Sequence, residues 1–344
     1  MNVPSMNSDT PVRERVLIVD DDEQNLRLLA RILGRGGYRC TNAEDGAAAR
    51  AALDLGPFDL IVCDVNLPGE SGLDLIAAVL PLHEHMAAVM VSGLDDVEVA
   101  DRALRLGAYG YIVKPFTGND VLMGVLGALS QRQREVRASD RLKASHEETI
   151  WRLCIAVEAR DHETAAHVKQ MSEYCWRLGL ELGLDADRCA LIRTASAMHD
   201  VGKIGVADRI LLKPGPLDAA ERLEMERHAE IGYRILAGSS AELLQLAATI
   251  AWTHHEKFDG SGYPRGLARD AIPLEGRVAA VADVFDALTR DRVYRGRVSM
   301  EEAIAVIRES RGDHFDGDVA DAFVQMLAEP PAVHGGAGLE ADER

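Results

Sequence analysis

Val16-Leu17-Ile18-Val19-Asp20-Asp21-Asp22 is an apolar, largely β-branched run that ends in three carboxylates. A short apolar run of this kind reads as a strand buried on both faces, with the acidic residues marking where it leaves the core. A helical pattern follows, with Leu26, Leu29, Ala30 and Leu33 on one face and Gly36-Gly37 at its end. The rhythm recurs in Leu60-Ile61-Val62-Cys63 before Asp64, in Val89-Met90-Val91 before Ser92, and in Tyr109 to Val113 before Lys114-Pro115. Such alternation predicts an α/β fold with a doubly wound parallel sheet. Ligands of these sheets lie at the carboxyl ends of the strands, so Asp20, Asp21, Asp64, Ser92 and Lys114 are expected to converge. Three carboxylates suit magnesium, which prefers oxygen ligands. A carboxylate beside the ion can act as a phosphoryl nucleophile, with the lysine and the hydroxyl binding the new phosphate oxygens.

Past Leu129 the polar stretch QRQREVRASDRLKASHEE contains neither Gly nor Pro and predicts a helix joining two domains. Leu122, Leu129 and Val136 keep a seven-residue spacing that predicts a parallel homodimer seam, although Lys143 takes the next position. From Ile150 onward strand signals vanish. Helices are predicted over 151–160, 166–182, 187–199, 219–236 and 300–310, with breaks at Gly183, at Lys213-Pro214-Gly215-Pro216 and at Gly260 to Pro264. The expected organisation is a disordered tail (1–13), an α/β domain (14–130), a helical linker (131–149), an all-α domain (150–329) and a second disordered tail (330–344).

A length of 344 residues suits two domains, and a net charge of −18 opposes loose binding to nucleic acid or an anionic membrane. No apolar run approaches a membrane span, and the first residues lack the apolar core of a signal peptide. The five cysteines are odd in number and form no C-x-x-C pair, which points to reduced thiols in a cytoplasmic protein.

Six of the eleven histidines fall between His162 and His255. Glu163 and His167, four apart, share a helix face. His199-Asp200, His228, the pair His254-His255 and Asp283 follow. A bridging carboxylate flanked by imidazoles is the ligand set of clustered first-row metals. Without thiolates, the choice is iron, manganese, zinc, cobalt or nickel. His146, His162, His314 and His334 read as surface residues.

Two resemblances sharpen this reading. Residues 15–130 resemble the receiver domain of two-component response regulators, a flavodoxin-like fold, through Asp20-Asp21, Asp64 with Asn66-Leu67-Pro68-Gly69, Ser92 and Lys114-Pro115-Phe116. The resemblance implies that Asp64 is the phosphoacceptor, that Asp20, Asp21, Asp64 and the Asn66 carbonyl form the magnesium site, and that Tyr111 is the switch partner of Ser92. It also implies a cognate sensor histidine kinase. Residues 158–327 resemble the HD-GYP family of HD metal-dependent phosphohydrolases. The matching stretches are Glu158-Ala-Arg-Asp161, Glu163 to His167, His199-Asp-Val-Gly-Lys203, Leu212 to Gly215 and His228. They continue with His254-His-Glu-Lys-Phe-Asp-Gly-Ser-Gly-Tyr-Pro264, Val281 to Thr289 and Arg292-Val-Tyr-Arg295.

That family hydrolyses cyclic di-GMP to linear pGpG and often to GMP by a metal-bridged hydroxide. The resemblance implies that His167, His199, Asp200, His228, His254, His255 and Asp283 are metal ligands, with Asp200 bridging. Glu163 would hold a third ion, so the cofactors are two or three divalent ions, iron or manganese first. Ala165 and His162 stand where the family commonly has glycine and proline. Lys203 would assist catalysis and bind phosphate, Arg292 and Arg295 would clamp the second phosphate, and Tyr263 would contact the substrate. Phosphorylation of Asp64 is expected to regulate hydrolysis. Two alternatives stand beside this: a non-catalytic effector that binds the dinucleotide or a diguanylate cyclase, and a hydrolase of another cyclic dinucleotide.

Overall fold

The computed structural model describes residues 14–83, 85–93, 97–161, 165–290 and 297–328. The two expected disordered tails, Glu163, Arg292 and Arg295 lie outside the described residues. The chain forms two compact units that divide after Ala144.

In the first unit, strands β1 (Arg15–Val19), β2 (Arg39–Ala43), β3 (Leu60–Asp64), β4 (Ala87–Ser92) and β5 (Gly110–Val113) make one parallel sheet in the order β2-β1-β3-β4-β5. This is the doubly wound, flavodoxin-like order. Its switch point lies between β1 and β3, where the acidic residues leave the sheet. The alternation of side chains builds two cores. Leu17, Val19, Ile61, Cys63 and Met90 face one side, packed with residues of α2 (Gly46–Asp54) and α3 (Gly72–Val79). Val16, Ile18, Leu60, Val62 and Val89 face the other, packed with α1 (Glu23–Arg35). Helix α4 (Val97–Arg105) precedes β5, and α5 (Gly118–Glu158) follows it as one continuous helix.

The predicted dimer seam meets a difference here. Leu129 is buried, and Leu122 packs beside it, in the core formed with Val121, Val125 and Ala128. Two of the three seam positions therefore belong to the receiver's own interior, because the first turns of α5 close one face of the sheet. Strand β2 was not anticipated: Arg-Cys-Thr-Asn-Ala has only its final residue buried, as befits an edge strand.

The second unit is helical. Its helices after α5 are α6 (Ala165–Glu181), α7 (Ala186–Ser196), α8 (Asp208–Leu211), α9 (Ala219–Leu236), α10 (Glu242–Thr253), α11 (Leu274–Thr289), α12 (Met300–Glu309) and α13 (Gly317–Ala328). Tyr174, Phe285 and Phe323 meet edge to face at its centre, with ring centroids 5.0–5.7 Å apart. The turn after α7 packs so tightly on α9 that a Cβ at Gly202 would lie 1.9 Å from the His228 carbonyl oxygen. Likewise, a Cβ at Gly276 would lie 2.2 Å from Thr253 Oγ1, so only glycine lets α11 approach the end of α10. These two close approaches set the turn after α7 against the middle of α9, and the start of α11 against the end of α10. Among the described residues no helix is long and apolar enough to cross a membrane.

Candidate metal centre

His167 projects from α6, His228 from α9 and Asp283 from α11, while His254 caps α10 and His255 follows it. The helix expected to reach His199 ends instead at Ser196. A turn then carries His199 and Asp200 into a 3₁₀ segment, Val201–Gly205. Two groups of candidate ligands result. His167, His199 and Asp283 bring nitrogen and oxygen atoms within 4.8 Å of one another, and Asp200, His228, His254 and His255 do the same. Asp200 joins them. Its Oδ1 lies 3.1 Å from His228 Nε2 and 3.5 Å from His254 Nε2, and its Oδ2 lies 3.3 Å from His199 Nε2.

The second nitrogens of these rings show what the first ones are for. Nδ1 of His199 lies 2.9 Å from the Ser196 carbonyl, and Nδ1 of His228 lies 2.8 Å from that of Met225. Nδ1 of His254 is shared between the Ile250 and Ala251 carbonyls. A carbonyl oxygen only accepts, so each Nδ1 carries the proton and each Nε2 presents a lone pair. His167 Nδ1 is held in the same way by Asp286 at 2.5 Å, whose carboxylate also meets Arg290 Nε at 2.6 Å. Carboxylate–histidine pairs of this kind orient metal ligands.

The centre thus turns acceptors toward acceptors. Nε2 of His199 and Oδ1 of Asp200 are buried without a hydrogen-bond partner, and Nε2 of His228 stands 3.5 Å from Nε2 of His254. Buried polar atoms rarely stay unsatisfied, and divalent ions between these lone pairs would satisfy them, so the residues fit metal ions. Without an ion a proton answers the same need. Burial favours neutral His199, yet Asp200, Asp283 and Glu158 raise it to about 10. Burial outweighs Asp200 at His254 and holds it below the ordinary histidine value. His255, buried beside His254 and His228, lies well below. Burial opposes ionisation of Asp200, but Lys203, His199 and His228 keep it well below the carboxylate range.

A cavity of about 360 Å³ opens onto the centre, lined by Asp200, Lys203, His228, His255, Tyr263 and Asp283 among others. The Tyr263 ring lies 4.7 Å from that of His255, centroid to centroid. Its loop is pinned by buried Glu256, which accepts the N–H groups of Arg265 at 2.8 Å and Leu267 at 2.9 Å. Lys203, whose ammonium is expected to meet a phosphate, lies on the wall of this cavity. Its ammonium contacts Asp200 at 2.8 Å, Asp161 at 2.6 Å and Glu158 at 3.3 Å. Asp286, Glu158 and Asp161 received no site role in the sequence reading. A usable signal was present for Asp286, which lies three residues from Asp283 on one helix face.

At the other end of the chain Asp20, Asp21 and Asp64 bring carboxylate oxygens within 4.8 Å of one another. Lys114 Nζ bridges Asp20 at 2.8 Å and Asp64 at 2.5 Å. The Asn66 N–H reaches Asp64 at 3.2 Å, and Ser92 is buried where β4 ends. Tyr111 packs against the core around Met90. Burial raises the Asp64 carboxyl above its usual value, against the pull of Lys114.

Residues 16–125 match the response regulator receiver domain, and residues 152–319 match the HD domain. A cyclic di-GMP phosphodiesterase response regulator of Xanthomonas campestris, RpfG, is 34% identical over 332 residues, which cover 91% of this chain and 88% of that protein. The chain belongs to the HD-GYP response regulators. A cyclic di-GMP phosphodiesterase of Thermotoga maritima shares 33% identity across 91% of this HD-GYP response regulator and 90% of its own length. The 3'3'-cGAMP-specific phosphodiesterase 2 of Vibrio cholerae is 44% identical over 184 residues, covering 54% of this chain and 35% of that protein. This HD-GYP response regulator is a metal-dependent phosphodiesterase.

Proposed function

We propose that the chain hydrolyses cyclic di-GMP to linear pGpG, GMP or both, under control of phosphorylation at Asp64. The observation that carries the reading is Asp200 set between two groups of Nε2 lone pairs. Its two oxygens face different groups of candidate ligands. His167, His199 and Asp283 would hold one ion, and His228, His254 and His255 the other. Glu163 is assigned to a third ion; the imidazole and carboxylate donors suit iron, manganese, zinc, cobalt or nickel, and the family resemblance puts iron or manganese first. Divalent ions bound there supply Lewis-acid activation of water and neutralise charge on phosphoryl oxygens.

The chain's own residues supply the remainder. Carbonyls and Asp286 fix the rings of His167, His199, His228 and His254, so these four need not reorient on binding. Lys203 Nζ, at the cavity wall beside Asp200, donates a hydrogen bond to a phosphoryl oxygen. Tyr263 offers a ring face to a nucleobase at the mouth, and its hydroxyl keeps its proton because burial and nearby carboxylates raise it. Arg292 and Arg295 are assigned to the second phosphate. In the receiver Asp64 accepts the phosphoryl group from a sensor kinase, and Ser92, Tyr111 and Lys114 respond to it; Asp20, Asp21, Asp64 and the Asn66 carbonyl would hold a magnesium ion, which would supply positive charge beside the phosphoryl group.

The substrate assignment follows relatives that match over about nine-tenths of the chain. The Vibrio cholerae relative, more similar over a shorter stretch, favours 3'3'-cGAMP as a second reading. The test is to prepare the protein without oxygen and confirm full metal occupancy. Each dinucleotide is then offered and the products are separated by chromatography. Faster turnover of cyclic di-GMP is expected; faster turnover of 3'3'-cGAMP selects the second reading, and full occupancy with no product from either overturns both. Hydrolysis is then compared with and without a phosphoryl mimic on the receiver, where equal rates refute regulation.

A further inference from the structure

Glu158-Ala159-Arg160-Asp161 grips the turn that carries Asp200 and Lys203. Glu158 is the last residue of α5 and is 2% exposed. Its Oε2 lies 3.3 Å from Lys203 Nζ, and Asp161 Oδ2 lies 2.6 Å from the same atom. Arg160 takes hold of the backbone. Its guanidinium donates to the carbonyls of Lys203 at 3.2 Å, Ile204 at 2.9 Å and Val206 at 3.4 Å, and pairs with Asp208 at 2.6 Å. These bonds add to the one that the Lys203 carbonyl accepts from Val206 N–H at 3.0 Å, and they tie the end of the 3₁₀ segment to residues 158–161. Three side chains within four residues hold one lysine from its backbone to its ammonium.

Glu158 also lies within ligand distance of His199 and Asp200, so its carboxylate has two conceivable duties. The ammonium of Lys203 distinguishes them, because it touches Glu158, Asp161 and Asp200 together. We infer that Glu158 is a positioning residue, with Asp161 as its partner: the two carboxylates hold the Lys203 ammonium against the Asp200 carboxylate, so that Lys203 meets the phosphodiester in one fixed pose. A buried ammonium on a flexible four-carbon stem gains direction only from such partners. The inference rests on the reading of Asp200 and Lys203 as parts of a phosphodiesterase site.

The experiment is a double-mutant cycle on the metal-loaded full-length protein, using Glu158→Gln, Lys203→Met and the pair together. Hydrolysis is followed with bis(p-nitrophenyl) phosphate, a plain phosphodiester, beside cyclic di-GMP, and metal ions per chain are counted for every variant. Glu158→Gln is expected to lower kcat about 10-fold, as loss of an orienting partner does, with metal content unchanged. The double variant is expected to be no slower than Lys203→Met alone, because Glu158 acts through that lysine. Additive losses overturn the inference, and so does loss of one ion per chain in Glu158→Gln, which would make Glu158 a ligand. Asp161→Asn, at a more exposed carboxylate, is expected to repeat the non-additive pattern if Glu158→Gln folds poorly. Hydrolysis of the plain ester without any of cyclic di-GMP defeats the substrate assignment alone and leaves the cycle readable.

Discussion

Replacing Asp286 by Asn separates the orientation of a ligand from the ligand itself. The carboxylate is 1% exposed, accepts from His167 Nδ1 at 2.5 Å and lies 2.6 Å from Arg290 Nε. An asparagine of the same shape keeps one acceptor but removes the charge that makes the imidazole a stronger base and fixes its tautomer. Partners of this kind are worth a factor of roughly 10–100 in metal affinity, or about 1.4–2.7 kcal/mol. The loss falls on the ion held by His167, His199 and Asp283, while the ion at His228, His254 and His255 keeps its affinity. Titrating manganese into metal-free protein by calorimetry reads both events. One weakened step beside one unchanged step is expected. Equal affinities in wild-type and Asp286→Asn protein, or an equal loss at both steps, refute the orienting role.

Metal-free protein is expected to lose stability as pH falls from 6 to 5. His254 and His255 are held below the ordinary histidine value when folded, so the unfolded chain binds protons that the folded chain refuses. His199, raised to about 10, stays protonated in the folded state throughout that window, and its own contribution is nearly complete there. A thermal midpoint that rises from pH 6 to 5 contradicts this. Gly202→Ala places a Cβ against the backbone of α9, 1.9 Å from the His228 oxygen and 2.4 Å from the Gly232 nitrogen. A loss of about 3 kcal/mol is expected from overpacking that no rotamer can relieve, and chemical denaturation of the helical unit measures it; wild-type stability refutes the close approach.

The strands of the receiver were legible because β1, β3 and β4 are buried on both faces, which confines polar residues to their ends. Strand β2 was hidden because an edge position allows Arg39, Thr41 and Asn42 to face water. Leu122 and Leu129 misled for a related reason: a seven-residue spacing also arises where one helix face covers a sheet. In the helical unit the types of the candidate ligands were readable, since histidines and acidic residues gather there at positions where packing alone does not call for them. Their second contacts were not. Carbonyls of Ser196, Met225 and Ile250 leave no trace in side-chain spacing, and the grip of residues 158–161 on Lys203 joins segments more than forty positions apart.

The most direct measurement is an anomalous-diffraction map of crystals of the protein loaded with manganese. The account predicts one peak within bonding distance of His167, His199 and Asp283, and another at His228, His254 and His255. Asp200 would contribute one oxygen to each, with the ions about 3.5–4 Å apart. A single peak, or two peaks with Asp200 bound to only one of them, contradicts the bridged centre on which the proposed hydrolysis depends.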